Sequence, residues 1–238
     1  MRRIVIALAS GAALFACSSQ KPVAKVDDSG LARLNEAQME PVDEARVEEG
    51  RARDELARAR ATEADSRARL EVAKSEHAVA EAQLKRATAE RDLLKKQYAN
   101  KDQMAEVEQE LAGAQERLKA TDLKLQYLQR MISVAEGDRR VAEAHVVTTQ
   151  AVTERAKLQA MKAADAPQAS SVNAGDIDHR VASAQAQEAN LRKEAAQRRS
   201  NAVELYNQWQ QADARARTMA RPSTIPVPPP TSAPTTTH

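Results

Sequence analysis

Few side chains in this 238-residue sequence are placed to do covalent chemistry. The only thiol is Cys17, which follows Leu14-Phe15-Ala16 at the end of an apolar run that opens at Ile4 behind Arg2 and Arg3. A charged start, a short apolar stretch and a small residue before the cysteine form the pattern of an export leader. They make Cys17 the predicted lipid attachment point. The run from Ile4 to Ala16 is too short for a bilayer-spanning helix, which takes about 20 apolar residues. One cysteine allows no disulfide to be inferred. The four histidines, His77, His145, His179 and His238, are scattered and lack carboxylate or cysteine neighbours at metal-ligand spacing. No metal site and no cofactor are therefore expected. No nucleophile elbow, glycine-rich phosphate loop, zinc-protease motif or catalytic carboxylate pair occurs, so no catalytic residue is assigned and the chain reads as a non-enzyme. Leu205, Tyr206 and Trp209 form the one concentrated aromatic patch, which either packs within its helix or docks a partner.

The tetrad Leu14-Phe15-Ala16-Cys17 resembles the lipobox of bacterial lipoproteins. That resemblance implies cleavage before Cys17, a diacylglyceryl group on its thiol and acylation of the new amino terminus. Each buried methylene contributes roughly 0.8 kcal/mol, so three acyl chains hold a membrane far more firmly than one. Ser18, where aspartate would direct retention, resembles the sorting context of outer-membrane lipoproteins and implies the periplasmic face of that membrane. An ordinary secretory signal is the alternative, because Phe15 is less usual before the small residue.

Composition is consistent with such an address. The chain has 36 Lys+Arg against 34 Asp+Glu, and loss of Arg2 and Arg3 with a leader makes the two equal. A neutral surface argues against a nucleic-acid binder, which would carry a basic face. After cleavage the only aromatics are Tyr98, Tyr127, Tyr206 and Trp209. High alanine and charge content predicts long helices.

The elements follow from periodicity. Residues 1–16 read as signal peptide and 17–40 as lipidated terminus and tether, with a short helix placed over Leu31 to Met39. Residues 41–164 read as a long helical hairpin, with Pro41 as first residue of its first helix. The first seam runs through Leu56, Ala59, Leu70, Ala73, His77, Ala80, Leu84, Ala87, Leu94 and Tyr98, interrupted by Glu63, Ser66 and Arg91. His77 in that seam is read either as a register-setting polar residue or as a tolerated one. The second seam runs from Met104 through Leu111, Leu118, Leu128 and Ile132 to Val146. A second stripe, Leu123, Tyr127, Met131, Val134 and Val141, widens its apolar arc and predicts two neighbours for this helix. The phase slips by one residue at 99–102, where Asn100 is expected to take a left-handed end cap and Asp102 to start the next helix. A turn is favoured there over one continuous helix, and folding about Lys101 sets Glu63 level with Arg139. Residues 165–175 read as linker, 176–221 as a third helix with a seam from Ile177 to Met219, and 222–238 as a Pro/Thr-rich disordered tail of polyproline character. The expected fold is thus all-α: an elongated coiled coil made of an antiparallel hairpin and a third long helix, with disordered termini.

Residues Leu93 to Gln103 resemble the hairpin tip of periplasmic adaptor, or membrane-fusion, proteins of tripartite efflux pumps. That resemblance implies an antiparallel hairpin and makes Asn100 and Lys101 candidate partner-binding residues beside Leu205, Tyr206 and Trp209. The architecture also resembles the small coiled-coil murein lipoprotein. That family joins the wall through a terminal lysine, whereas this sequence ends Thr237-His238, so any cell-wall contact is expected to be non-covalent. Two functions follow as expectations. One is a lipid-anchored periplasmic rod that spaces or scaffolds the envelope, with self-association or another helical envelope protein as its partner. The other is an accessory subunit whose hairpin docks on an export or motility complex.

Overall fold

In a computed structural model the described residues are 26–219. Cys17 with Leu14, Phe15 and Ala16, the proline-rich tail, His238 and the expectation of disordered termini all lie outside them. The described residues form three long helices and no strand: α1 (Glu36–Lys96), α2 (Lys101–Ala163) and α3 (Ala174–Met219). Short 3-10 turns precede α1 (Asp28–Arg33) and α3 (Pro167–Ser171). The chain is all-α, an antiparallel hairpin joined to a third long helix.

The first helix starts earlier than Pro41. Asn35 and Gln38 form a reciprocal capping box: the Gln38 amide donates to Asn35 Oδ1 at 2.9 Å and the Asn35 amide donates to Gln38 Oε1 at 3.0 Å. Two orphan amides satisfied at once outweigh the preference of proline for a first position. Pro41 therefore lies in the second turn, where its missing amide leaves the Ala37 carbonyl without its usual partner. Of the stretch read as tether, residues 17–25 lie outside the described residues, while residues 26–40 are packed into the layer. Val26 and Leu31 are buried, and with Val42, Leu158, Met161 and Ile177 they form the main cluster of large apolar side chains. Around it, the Val26 amide donates to Glu154 Oε2 at 2.7 Å, and Lys157 Nζ sits 2.8 Å from Asp28. This closed end of the rod is its base.

The α1–α2 turn is a Schellman motif. The Ala99 amide reaches back to the Leu94 carbonyl at 3.1 Å and the Tyr98 amide to Lys95. The residue between must be left-handed, and it is Tyr98 (φ 55°), not Asn100. Asn100 instead caps the start of α2, accepting from the Gln103 amide at 2.9 Å in a second capping box. Asp102 lies inside the first turn. The seam placed through Tyr98 thus ends at Leu94, because the turn throws Tyr98 out to 95% exposure.

Packing follows the heptads. On α1 the buried positions Ala52, Ser66, Ala73, Ala80 and Ala87 fall on one seven-residue repeat. Small side chains let two antiparallel backbones approach closely, so α1 gains cohesion from contact of backbones more than from large apolar volume. Of the seam interruptions Glu63 carries a cross-helix bond: Arg139 Nε donates to Glu63 Oε2 at 2.7 Å, which is the pairing expected from folding about Lys101, while Ser66 donates to Thr62 and Arg91 pairs with Asp92 within α1. His77 Nε2 lies 2.7 Å from Asp122 Oδ1, joining α1 to α2. On its other side α2 meets α3, with Ala120 packed against Ala212 and Ala216, and Gly137 against Ala195. A Cβ on Gly137 would stand 3.7 Å from the Ala195 backbone and 3.3 Å from the Arg198 side chain. Gly137 is therefore a point of close approach. The two stripes of α2 each have a neighbour, while α1 and α3 pack along α2 and not along each other. The described residues form a layer of three antiparallel helices with α2 in the middle, one helix thick.

Candidate functional site

Three places on this layer carry features beyond helix packing. The hairpin tip is the first. α3 ends with Met219 against Gly113, so the last turns of α1 and the first of α2 project beyond it by about 18 Å at 1.5 Å per residue. Leu93 is 54% exposed there, Tyr98 stands free, and Lys101 is exposed at the first position of α2. The Asn100 side chain is engaged in its cap, which leaves Tyr98 and Leu93 as the apolar contact points of the tip. Sequence reasoning missed Tyr98 as a surface residue because its spacing fits the seam. No spacing marks it: the exposure of Tyr98 follows from the Schellman bonds of the turn, which the seam does not encode.

The second place is aromatic. Tyr127 of α2 stacks on Trp209 of α3 (centroids 5.6 Å apart, planes at 15°), and Tyr206 meets Trp209 edge-on at 5.7 Å. Lys124 Nζ lies 5.9 Å above the indole. Of the predicted trio, Tyr206 and Trp209 join Tyr127, which the sequence could place only as an α2 stripe residue, while Leu205 is half-buried in the α3 seam. Burial pushes the Tyr127 phenol up, with Tyr206 adding to the shift against the nearby Arg69 charge. Alongside the rings runs an apolar groove of about 430 Å³, walled by Met131, Val134, Ala202 and Val203 and closed at one end by the Arg199–Asp138 ion pair at 2.7 Å. The structure keeps this patch apart from Asn100 and Lys101. Trp209 lies level with Lys124, about 35 Å from the tip at 1.5 Å per residue.

The third place is a polar cluster between all three helices. Glu188, at a seam position of α3, is only 7% exposed. Burial opposes its ionisation, but hydrogen bonds from Thr148 and Arg192 and the neighbouring His145 overcome that and hold its carboxyl below the usual range. His145 Nδ1 is buried 3.2 Å from Glu188 Oε1 without hydrogen-bond alignment, and its Nε2 is 3.9 Å from Glu55 of α1. One imidazole therefore stands between carboxylates of the two outer helices. A second charged cluster lies at the base, where Lys157 is 12% exposed. Burial alone would lower its pKa, yet hydrogen bonds to Asp28 and Glu154 raise it. These clusters are ion-pair clamps between elements. His179 is exposed on α3, and among the described residues no group of three His, Cys, Asp or Glu side chains could hold a metal ion. Nor is any helix among them long and apolar enough to cross a membrane.

Compared with protein-family models, curated proteins and solved structures, the chain matches none.

Proposed function

We propose that this protein is a non-enzymatic, lipid-anchored periplasmic rod, fixed to the outer membrane through Cys17 and acting as an envelope spacer or scaffold. The observation that carries the reading is the polarity of the layer. Val26 is pinned at the base, and the 61 residues of α1 then carry the hairpin tip about 90 Å away at 1.5 Å per residue. Only residues 18–25 separate Cys17 from that base, a span of at most about 30 Å even when fully extended. A short link at one end and a projecting tip at the other are what a spacer needs. The test is metabolic palmitate labelling with membrane fractionation of the wild type and of Cys17→Ser. Label and outer-membrane association that both vanish in the variant are expected. An unlabelled wild type, or a Cys17→Ser chain that stays in the membrane, would overturn the anchor.

A second reading, an accessory subunit of an export or motility complex, is favoured by the tip alone. Tyr98 is held left-handed and fully exposed beside Leu93. Affinity purification after crosslinking in cells separates the two: a stoichiometric partner lost with Tyr98→Ser supports docking, and self-crosslinks alone support the rod.

A further inference from the structure

Charge and apolar surface meet at the hairpin tip. From Arg91 to Asp102 stand four cations, Arg91, Lys95, Lys96 and Lys101, against two carboxylates, Asp92 and Asp102, and the rest of the sequence is balanced. Arg91 hydrogen-bonds Asp92 at 2.7 Å and holds its carboxyl below the usual range, with Lys95 and Lys96 adding to that. The three lysines are exposed and make no ion pair among the described residues. Leu93 (54% exposed) and Tyr98 (95%) stand among them. Tyr98 also holds a left-handed backbone (φ 55°), which glycine or asparagine would take at lower cost, and its ring gains little inside the chain in return. Since α3 stops level with Gly113, no described helix flanks this end.

We infer that the hairpin tip is a contact point for an anionic lipid bilayer. Charge complementarity decides for this partner. An apolar protein groove would receive Leu93 and Tyr98 but leave three ammonium groups at its rim with nothing to pair. An anionic bilayer offers both requirements at once: a negative surface potential that attracts lysines, and a headgroup layer in which a tyrosine ring settles with its hydroxyl in water. The dimensions agree. Leu93 lies about 5 Å from the end of α1 at 1.5 Å per residue, close to the depth of one headgroup layer, so a rod meeting the bilayer end-on brings Leu93, Tyr98 and the three lysines into it together. Each lysine near such a surface strengthens binding about five-fold, which makes one tip a weak ligand. Many rods side by side would engage many tips and hold firmly. The inference goes beyond the spacer reading and does not depend on it, because the tip keeps its charge whether or not Cys17 carries lipid.

The experiment is vesicle flotation of the chain without residues 1–17, which keeps every residue of the layer and removes both the apolar leader and the cysteine. The vesicles are phosphatidylcholine alone, or phosphatidylcholine with about one-third phosphatidylglycerol. The parent should float with the anionic vesicles and not with the neutral ones, and should be released as salt is raised from about 0.05 M to 0.5 M. Lys95→Gln, Lys96→Gln and Lys101→Gln together should weaken binding about 100-fold. Tyr98→Asn, which suits the left-handed turn, should weaken it roughly five-fold. Unchanged helix content by circular dichroism verifies that both variants stay folded. A parent that ignores anionic vesicles, or a triple variant that binds them as well as the parent, would overturn the inference. So would Tyr98-dependent dimers in sedimentation without vesicles, which would mean that the tip pairs with a second copy. The chain tested lacks Cys17, so none of these outcomes bears on the lipid anchor.

Discussion

At the scale of single residues, the informative groups are those that break the pattern they sit in. Glu188 occupies an apolar seam position and survives there because Thr148, Arg192 and His145 surround its carboxylate. A carboxyl whose folded pKa is depressed adds stability at pH above its unfolded value of 4.5, and that stability is lost as pH falls through the lower folded value. Thermal melts of the parent should therefore lose more between pH 6 and pH 3 than those of Glu188→Gln, whose profile flattens. At neutral pH the same variant should be less stable by about 1–3 kcal/mol, since it strands buried partners built around a charge. A parent and variant with parallel pH profiles would show that the cluster adds nothing. Tyr98 breaks a different pattern. A non-glycine residue in the left-handed region is disfavoured by roughly 1–2 kcal/mol, partly offset by the lower chain entropy it brings to the unfolded state. Tyr98→Gly should accordingly stabilise the hairpin by about 0.5–1 kcal/mol in urea denaturation. A destabilised Tyr98→Gly would mean that the exposed ring makes contacts within the chain.

At the scale of elements, each helix is specified by what it leaves small. Ala80 is 2% exposed on the repeat that holds α1 against α2, so Ala80→Leu should force the helices apart at about 1–3 kcal/mol. Gly50, by contrast, lies on α1 with nothing within 4 Å of a built Cβ, and Gly50→Ala should stabilise by up to about 1 kcal/mol from helix propensity alone. Guanidinium melts of the two variants should move in opposite directions. A shared direction would mean that α1 does not pack through its alanines. The same elements mark how far the sequence could be read. The α2 double stripe gave away its two neighbours, and the Glu63–Arg139 level followed from matching two heptads about a turn, because both depend on periodicity that long helices keep. Boundaries depend on single capping groups that carry no period: the Asn35/Gln38 box, not Pro41, starts α1, Tyr98 and not Asn100 takes the left-handed position, and Val26 and Leu31 pack at the base from a stretch with no periodicity. The aromatic site was half legible, since Tyr206 and Trp209 are adjacent on one helix while Tyr127 reaches them only through tertiary packing.

At the scale of the whole molecule, the question is why three helices stay a layer when a closed bundle would bury more. A bundle needs each helix to present two apolar stripes, one for each neighbour. Only α2 does so. On α1 the buried and half-buried positions form a single a/d stripe, and on α3 a single seam from Ile177 to Ala216 is buried, so neither outer helix has a second face for the other. The flanking charges are already spent across the α2 seams, as in Arg67–Glu136 at 3.3 Å and Arg199–Asp138 at 2.7 Å. Two helices packed on opposite sides of a third stand about 16–20 Å apart between axes, against 8–10 Å for direct neighbours. Spin labels at exposed outer positions such as Val72 of α1 and Gln208 of α3 therefore test the architecture. Pulsed dipolar spectroscopy should return one narrow distance that reflects the wider separation, about 8–10 Å beyond what the same labels would give in a closed bundle. A population at the shorter distance would mean that α1 and α3 close on each other, covering the face along which Arg117, Lys124 and Tyr127 are reached. The length of the rod is indifferent to that outcome, whereas the open face is not: only a layer keeps Arg117, Lys124 and Tyr127 on an open side of α2.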